Sequence, residues 1–253
     1  MKEIIIRVKN ITTSFGENLV HDDISFDIHK GEIFGLLGPS GHGKSTMLRE
    51  MILLQEPDRG SIEVLGRPIL TLSEKEAIEL RKQWGVVFQE SALFSSLNVE
   101  ENIALVLKEY THMSASLIRS ITATKLEMVG LSQKDAYKYP SELSGGMKKK
   151  AALARALAMD PKLLFLDEPT SSLDPVSAAE FDDLILSLKE LLNLSIIIVT
   201  HDLESIHKTL DNMVVFTDKK VVAQGSLKEV LSVPHPIIES FFLQKGIKNE
   251  QQG

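Results

Sequence analysis

The amino-acid sequence predicts an α/β fold with a mostly parallel sheet and an inserted helical segment. Short apolar runs alternate with helix-like segments along the 253-residue chain, which is the order of elements in βαβ units. The run Ile-Ile-Ile-Val at residues 196–199 is apolar on both faces, as a strand covered on both sides requires. The segment from about 91 to 158 lacks such runs, which predicts a helical lobe within the α/β core.

The individual elements follow from these patterns in chain order. Strands are predicted at residues 4–8, 33–37, 86–88, 163–166, 196–199 and 213–216. Helices are predicted at residues 44–53, 145–158, 178–192 and 203–209, and within the lobe at 99–110 and 115–129. We expect residues 1–232 to form a single domain, with the helical lobe at about 91–160.

The remaining residues, 233–253, are expected to form a C-terminal tail. The sequence Pro-His-Pro at 234–236 interrupts any helix, because proline removes a backbone donor and clashes with the preceding turn. Phe241 and Phe242 then offer an apolar anchor, either for the core of the same chain or for a partner subunit.

Composition limits the classes of protein that this chain can belong to. The formal net charge of −7 does not favour broad binding to a nucleic-acid backbone, so we expect no nucleic-acid partner. The sequence contains no cysteine, which excludes disulfides and thiolate zinc sites and fits a reducing compartment. Residues 1–7 are too short an apolar run for a signal peptide, and no apolar stretch approaches the length of a membrane span. Any work at a membrane therefore requires docking to another chain.

The first chemically informative motif is a glycine-rich turn between a predicted strand and a predicted helix. Its spacing is that of a P-loop, G-x-x-x-x-G-K-[ST], and its residues are Gly38, Pro39, Ser40, Gly41, His42, Gly43, Lys44, Ser45 and Thr46. The glycines let backbone N–H groups face phosphate oxygens, and the helix N-terminus attracts the same anion. Lys44 would contact the β- and γ-phosphates, and the Ser45 hydroxyl would ligate Mg²⁺. The motif predicts nucleoside triphosphate binding; the alternative is a chance glycine-rich turn.

Two further motifs lie downstream. Residues 143–147, Leu-Ser-Gly-Gly-Met, precede a segment rich in helix formers, so they could bind an anion at a helix start or simply cap a helix. The apolar strand at 163–166 ends in Asp167 and Glu168, at the strand end where an open α/β sheet places its ligand chemistry. Asp167 would hold Mg²⁺ and Glu168 would polarise an attacking water, unless both are solvated acids.

Together these motifs resemble the ATPase of an ATP-binding-cassette (ABC) transporter. The resemblance rests on the P-loop, the Leu-Ser-Gly-Gly motif, the run LLFLDEPTSSLDP at 163–175 and the strand that ends in Thr-His-Asp at 200–202. It covers about residues 8–225 and implies a P-loop NTPase core with an antiparallel β subdomain and an inserted α-helical subdomain. It also implies ATP and Mg²⁺ as ligands and a homodimer formed through ATP. P-loop kinases and GTPases would leave the second motif and the distal histidine unexplained.

The resemblance implies a role for each matching residue. Phe15 would stack on adenine, although a core phenylalanine is the alternative. Gln89 would meet Mg²⁺ and the attacking water, and His201 would contact the γ-phosphate. The implied catalytic residues are Glu168, His201, Gln89 and Lys44, and the implied Mg²⁺ ligands are Ser45, Gln89 and Asp167. The residues implied to complete the ATP site of the opposite subunit are Ser144, Gly145, Gly146 and Asp174.

One P-loop position departs from the usual pattern. His42 stands where this family usually has a small residue. We expect its backbone N–H to serve the phosphate turn while its side chain points away.

The cargo is suggested by a finer likeness. Residues 88–99, FQESALFSSLNV, and 143–158, LSGGMKKKAALARALA, resemble the ATPases of MCE-type (mammalian-cell-entry, or Mla) phospholipid transporters. This likeness implies integral membrane permease subunits, an MCE-domain protein, small accessory subunits and a place at the cytoplasmic face of the inner membrane.

Alternative functions remain open. The ATPase of an amino-acid or methionine importer has overlapping motifs. A non-transport ABC protein, acting in translation or DNA repair, is disfavoured because the chain has one cassette and no long coiled-coil insertion. Gln89, Glu168 and His201 weigh against a regulator that binds nucleotide without turnover.

Overall fold

The computed structural model describes residues 3–243, which contain ten strands and nine α-helices. The strands are β1 (Ile4–Phe15), β2 (Asn18–His29), β3 (Ile33–Leu37), β4 (Arg59–Val64), β5 (Arg67–Pro68), β6 (Trp84–Val87), β7 (Leu163–Asp167), β8 (Ser195–Val199), β9 (Asn212–Thr217) and β10 (Lys220–Gly225). The helices are α1 (Lys44–Met51), α2 (Glu74–Arg81), α3 (Val99–Tyr110), α4 (Ala115–Met128), α5 (Gly145–Ala156), α6 (Pro175–Leu192), α7 (Leu203–Thr209), α8 (Leu227–Leu231) and α9 (Pro236–Leu243).

These elements divide into two compact units. The first consists of the described residues up to Ser73 and those from Ile198 onward, and the second is Glu74–Ile197.

The first unit contains an antiparallel sheet and part of a parallel one. The antiparallel sheet has the strand order β2-β1-β4-β5, with Val8 paired to Phe26 on one side and to Ile62 on the other. In the second set, β3 and β9 run parallel, and β10 adds to β9 in the antiparallel direction. Phe26 stacks on Phe34 with ring centroids 5.8 Å apart, which joins side chains from β2 and β3 in a common core.

The second unit combines parallel strands with the helical segment. It contains β6, β7 and the part of β8 up to Ile197, in the order β8-β7-β6, and β6 and β7 are parallel, with Val86 beside Phe165. Trp84 meets the ring of Phe165 edge-on at 6.1 Å between centroids. From 91 to 158 the described chain forms α3, α4, α5 and two 3₁₀ turns, Asp135–Tyr137 and Pro140–Glu142, without a strand.

The turn that leads into α3 is held by one buried amide. Asn102 is fully buried, and its Nδ2 donates to the carbonyls of Phe94 (3.1 Å), Leu97 (3.0 Å) and Asn98 (2.9 Å). Its Oδ1 accepts from the backbone N–H of Phe94 at 2.8 Å. Both ends of this amide are therefore satisfied, as a buried polar group requires.

The predicted strands and helices are present, but their bounds differ and several elements were not predicted. Strand β1 extends to Phe15, beyond the predicted 4–8, and β2, β4, β5, α2, β10, α8 and α9 have no predicted counterpart. The reason is physical. Every residue of β3, β7 and β8 is buried, so these strands form continuous apolar runs. Strands β1 and β2 carry polar residues on an exposed face, so their apolar positions are interrupted.

The C-terminal helix α9 packs on the core of the first unit. Ile238 and Phe242 are buried in a cluster whose other members are Leu37, Ile206, Met213, Val215, Ala223 and Val230. The helix starts at Pro236, the last residue of the predicted break. The residues that follow Leu243 lie outside the described part of the chain. Within residues 3–243, no helix has the length and apolar character needed to cross a membrane.

Candidate nucleotide-binding site

The glycine-rich turn joins the buried strand β3 to α1 in the first unit. Gly38 has φ 138°, and a Cβ built there would collide with the carbonyl oxygen of Phe216. Gly43, the N-cap of α1, has φ 88°, and a Cβ there would collide with the imidazole of His21. Both positions therefore require glycine, for conformation and for space.

Lys44 lies folded back over this turn. Its Nζ donates to the carbonyl oxygens of Gly38 and Pro39, each at 2.9 Å. The side chain is buried, whereas Ser40 and Gly41 at the tip of the turn are exposed. The lysine thus places its positive charge inside the loop that the P-loop spacing predicts as a phosphate site.

His42 connects the turn to the neighbouring β9–β10 hairpin. The backbone N–H of Asp218 donates to His42 Nδ1 at 3.3 Å. Asp218 has φ 47° and lies between β9 and β10. The imidazole therefore has a structural contact that could not be assigned from sequence.

A buried polar network behind the turn was missed by the sequence analysis. His21 Nε2 lies 3.1 Å from the carbonyl oxygen of Gly43, and His21 Nδ1 lies 3.4 Å from Glu50 Oε2. The hydroxyl of Thr13 donates to Glu50 Oε1 at 2.5 Å. All three side chains are buried. Nothing in the local sequence pairs a residue of β2 with one of α1.

In the second unit, the two predicted acids lie at the end of β7. Asp167 is the last residue of the strand and is buried, and Glu168 is half-buried. Glu168 has φ 49°, a left-handed conformation that is costly for a residue with a side chain. Its carbonyl oxygen accepts from Ser171 Oγ (2.7 Å), Ser171 N (3.2 Å) and Lys149 Nζ (3.2 Å).

The Leu-Ser-Gly-Gly motif begins α5 in the same unit. Ser144 is the N-cap, and its Oγ accepts from the backbone N–H of Met147 at 3.3 Å. A Cβ built on Gly145 would lie 3.5 Å from Leu173, and one on Gly146 would lie 3.9 Å from Ser177. The motif therefore lies against the start of α6.

Asp174 begins that neighbouring helix. Its Oδ1 accepts from the backbone N–H of Ser177 at 3.0 Å, and its Oδ2 accepts from the Ser177 hydroxyl at 2.5 Å. These hydrogen bonds hold the pKa of the exposed Asp174 carboxyl below its ordinary value. Asp174 thus caps α6 and stands beside the turn that contains Ser144.

Three further predicted site residues, Phe15, Gln89 and His201, are exposed. Phe15 ends β1 with 52% of its surface accessible, so it is not a core residue. Gln89 follows β6 in the second unit, and His201 follows β8 in the first. The first unit therefore carries Phe15, the P-loop and His201. The second carries Gln89, the Ser144 turn, the two acids and Asp174.

The predicted Mg²⁺ ligands fit that ion by their chemistry. Ser45, Gln89 and Asp167 offer hydroxyl, amide and carboxylate oxygens, and Mg²⁺ takes oxygen ligands, usually one or two carboxylates together with substrate phosphates. Across residues 3–243, no group of three or more His, Cys, Asp or Glu side chains is placed to hold a metal alone.

Comparison with known proteins identifies the family. Residues 21–171 match the family model described as "ABC transporter". The intermembrane phospholipid transport system ATP-binding protein MlaF of Haemophilus influenzae is 41% identical over 231 residues, which cover 91% of this chain and 87% of that protein. The chain belongs to the ABC transporter family. Its predicted fold class, an ABC ATPase cassette, and its enzyme class, an ATPase, are confirmed.

Other ABC relatives are named for different functions. The probable ribonucleotide transport ATP-binding protein mkl of Mycobacterium leprae is 42% identical over 238 residues, covering 94% of this chain and 68% of that protein. The methionine import ATP-binding protein MetN of Lactobacillus johnsonii is 39% identical and covers 90% of this chain and 66% of that protein. The chain thus spans about two thirds of the length of these two relatives.

A solved ABC cassette has the same fold. The dimeric, post-hydrolysis structure of the cassette MJ0796 bound to ADP and Pi aligns with a TM-score of 0.81 at 30% identity. The alignment covers 88% of this chain and 98% of MJ0796.

Proposed function

We propose that this chain is the ATP-hydrolysing subunit of a phospholipid transporter, working as a homodimer at the cytoplasmic face of the inner membrane. The observation that carries the lipid cargo is the 88–99 segment, together with Met147, because both resemble MCE-type ATPases. The similarity to MlaF supports it. Methionine import is the second candidate, supported by the MetN relative at nearly the same identity.

The proposed reaction is in-line attack of water on the γ-phosphate of ATP. The P-loop amides and Lys44 hold the β- and γ-phosphates, and Phe15 stacks on adenine. Glu168 orients the water and accepts its proton as the new P–O bond forms and the bond to ADP breaks, while His201 and Gln89 contact the γ-phosphate and the water. Ser45, Gln89 and Asp167 would hold Mg²⁺, which neutralises phosphate charge when bound. Such catalysis depends on positioning and electrostatics.

The dimer would complete each site. Ser144, the two glycines after it and Asp174 are proposed to close the ATP site of the partner subunit across a two-fold axis. In the single chain the Ser144 turn and Asp174 lie together and are exposed, which supports this role. The dimeric state of the cassette MJ0796 supports it further.

Substitution of Glu168 and Lys44 tests the reaction. Glu168→Gln should retain ATP affinity but lower turnover by about 10²–10⁴-fold, because the general base is lost, and should trap an ATP-bound dimer. Lys44→Ala should instead weaken ATP binding itself. Phosphate release, nucleotide titration and sizing chromatography measure these effects. Near-normal hydrolysis by Glu168→Gln would remove Glu168 from its role, and unchanged ATP affinity would remove Lys44.

Purification of the whole membrane complex tests the cargo. Affinity capture of this chain from its native membrane, followed by mass spectrometry of proteins and lipids, should recover permease subunits, an MCE-domain protein and bound phospholipid. Recovery of a periplasmic amino-acid receptor instead would refute the lipid assignment and support the importer.

A further inference from the structure

A buried lysine on α5 contacts the backbone of two proposed reaction residues. Lys149 is only 3% exposed, and its Nζ donates to the carbonyl oxygen of Gln89 at 2.5 Å and to that of Glu168 at 3.2 Å. Gln89 follows β6 and Glu168 follows β7, so one ammonium group bridges the segments that leave two neighbouring strands. The sequence alone predicted no role for this lysine.

Both segments that this helix contacts have strained backbone. Ser91 and Ala92 have φ 61° and 48°, and Glu168 has φ 49°. Non-glycine residues keep such conformations only where surrounding contacts enforce them. On α5, Arg155 donates to the carbonyls of Ser91 (3.0 Å) and Ala92 (2.7 Å). Two side chains of α5, Lys149 and Arg155, therefore donate to carbonyls of the segment that contains Gln89. Lys149 also donates to the carbonyl of Glu168.

The buried ammonium group of Lys149 lies in the field of three carboxylates. Burial lowers the pKa of Lys149, and the negative charges of Glu90, Asp167 and Glu168 oppose that effect. A neutral side chain of similar length would lose both the hydrogen bonds and this attraction.

We propose that Lys149 is a positioning residue for ATP hydrolysis, fixing the backbones of Gln89 and Glu168 so that their side chains keep a constant relative placement. The inference rests on the proposed role of Glu168. Lys149 need not touch ATP, so its loss should change the chemical step more than nucleotide binding.

The test compares Lys149→Met, Lys149→Arg and the matched control Lys150→Met. Lys150 is the next residue on α5, and its ammonium lies 3.9 Å from the exposed carboxylate of Glu180. Lys149→Met should lower kcat for ATP by about 10²-fold, the scale of a 1 Å misplacement, with KM and nucleotide affinity within about twofold of wild type. Lys149→Arg should recover much of kcat, and Lys150→Met should leave it unchanged.

A second variant protects the test against misfolding. Ser171→Ala removes a different donor to the same Glu168 carbonyl and should also lower kcat without changing ATP affinity. Thermal unfolding of each variant shows whether it is folded. The proposal would be overturned if folded Lys149→Met had the wild-type kcat, or if this variant lost kcat and ATP affinity equally. If Lys149→Met does not fold, an unaffected kcat in Ser171→Ala would overturn the proposal. If Glu168→Gln keeps its turnover, the proposed catalytic role of Glu168 is wrong. If Glu168→Gln loses turnover but the Lys149 and Ser171 variants do not, the role of Glu168 stands and only the positioning role of Lys149 is wrong.

Discussion

At the scale of single residues, His21 and Glu50 form a buried polar pair next to the glycine-rich turn. The carbonyl oxygen of Gly43 can only accept, so the nearby His21 Nε2 must carry a proton. His21 Nδ1 and Glu50 Oε2 then face each other at 3.4 Å, with neither side chain exposed. The two groups lie buried side by side, and removal of one leaves a polar atom of the other buried without a nearby partner.

Glu50→Leu should therefore lower the free energy of unfolding by about 3–5 kcal/mol, the cost of removing one partner of a buried pair, because His21 Nδ1 and the Thr13 hydroxyl both lose the group they face. The double variant His21→Leu with Glu50→Leu should recover part of that loss, since it removes the imidazole but leaves the Thr13 hydroxyl and the Gly43 carbonyl without these side chains as partners. Urea denaturation measures both. As a control, Glu3→Ala removes the exposed partner of Lys30 and should cost about 0–1 kcal/mol. An effect of Glu50→Leu no larger than this control would contradict the pairing.

At the scale of elements, α5 serves two purposes along its length. Its N-cap Ser144 is exposed beside α6, whereas Lys149 and Arg155 hold backbone carbonyls of the segment that follows β6. The alternatives considered for the Leu-Ser-Gly-Gly motif were an anion site or an ordinary capped helix. The Ser144 cap is present, and a cap and an anion site are compatible on one helix N-terminus.

The C-terminal helix α9 packs within its own chain. Of the two positions considered for the Phe241–Phe242 anchor, the described structure places Phe242, fully buried, among core residues of the first unit. Phe241 packs partly buried against the same cluster. The tail therefore contributes to the stability of the chain that carries it.

Phe242→Ala should lower the free energy of unfolding by about 3–5 kcal/mol, because it leaves a cavity in a closed core. Glu239→Ala, on an exposed position of the same helix, should be close to neutral. Chemical denaturation at several protein concentrations measures both. If Phe242→Ala weakened self-association and left monomer stability intact, the anchor would act between subunits.

At the scale of the whole molecule, the proposed reaction residues are divided between the two units. Phe15, the P-loop and His201 belong to one, while Gln89, the acids after β7 and the Ser144 turn belong to the other. Under the proposed roles, hydrolysis requires residues from distant parts of the sequence. Family membership is shown by similarity over most of the chain. The proposed roles of Glu168, Lys44 and Lys149 are tested by the variants described above.

The fully buried strands, the P-loop and the order of the motifs, and hence the ABC family, could be predicted from the amino-acid sequence alone. These features are local: continuous apolar runs mark strands covered on both faces, and a phosphate turn needs fixed spacing. Only the tertiary structure decided the extent of the antiparallel strands, the packing of α9 and the contacts of the buried polar side chains. Lys149 and Gln89 are 60 residues apart, and Thr13 and Glu50 are 37 apart. Such partners are chosen by strand register and helix packing, which no local pattern records.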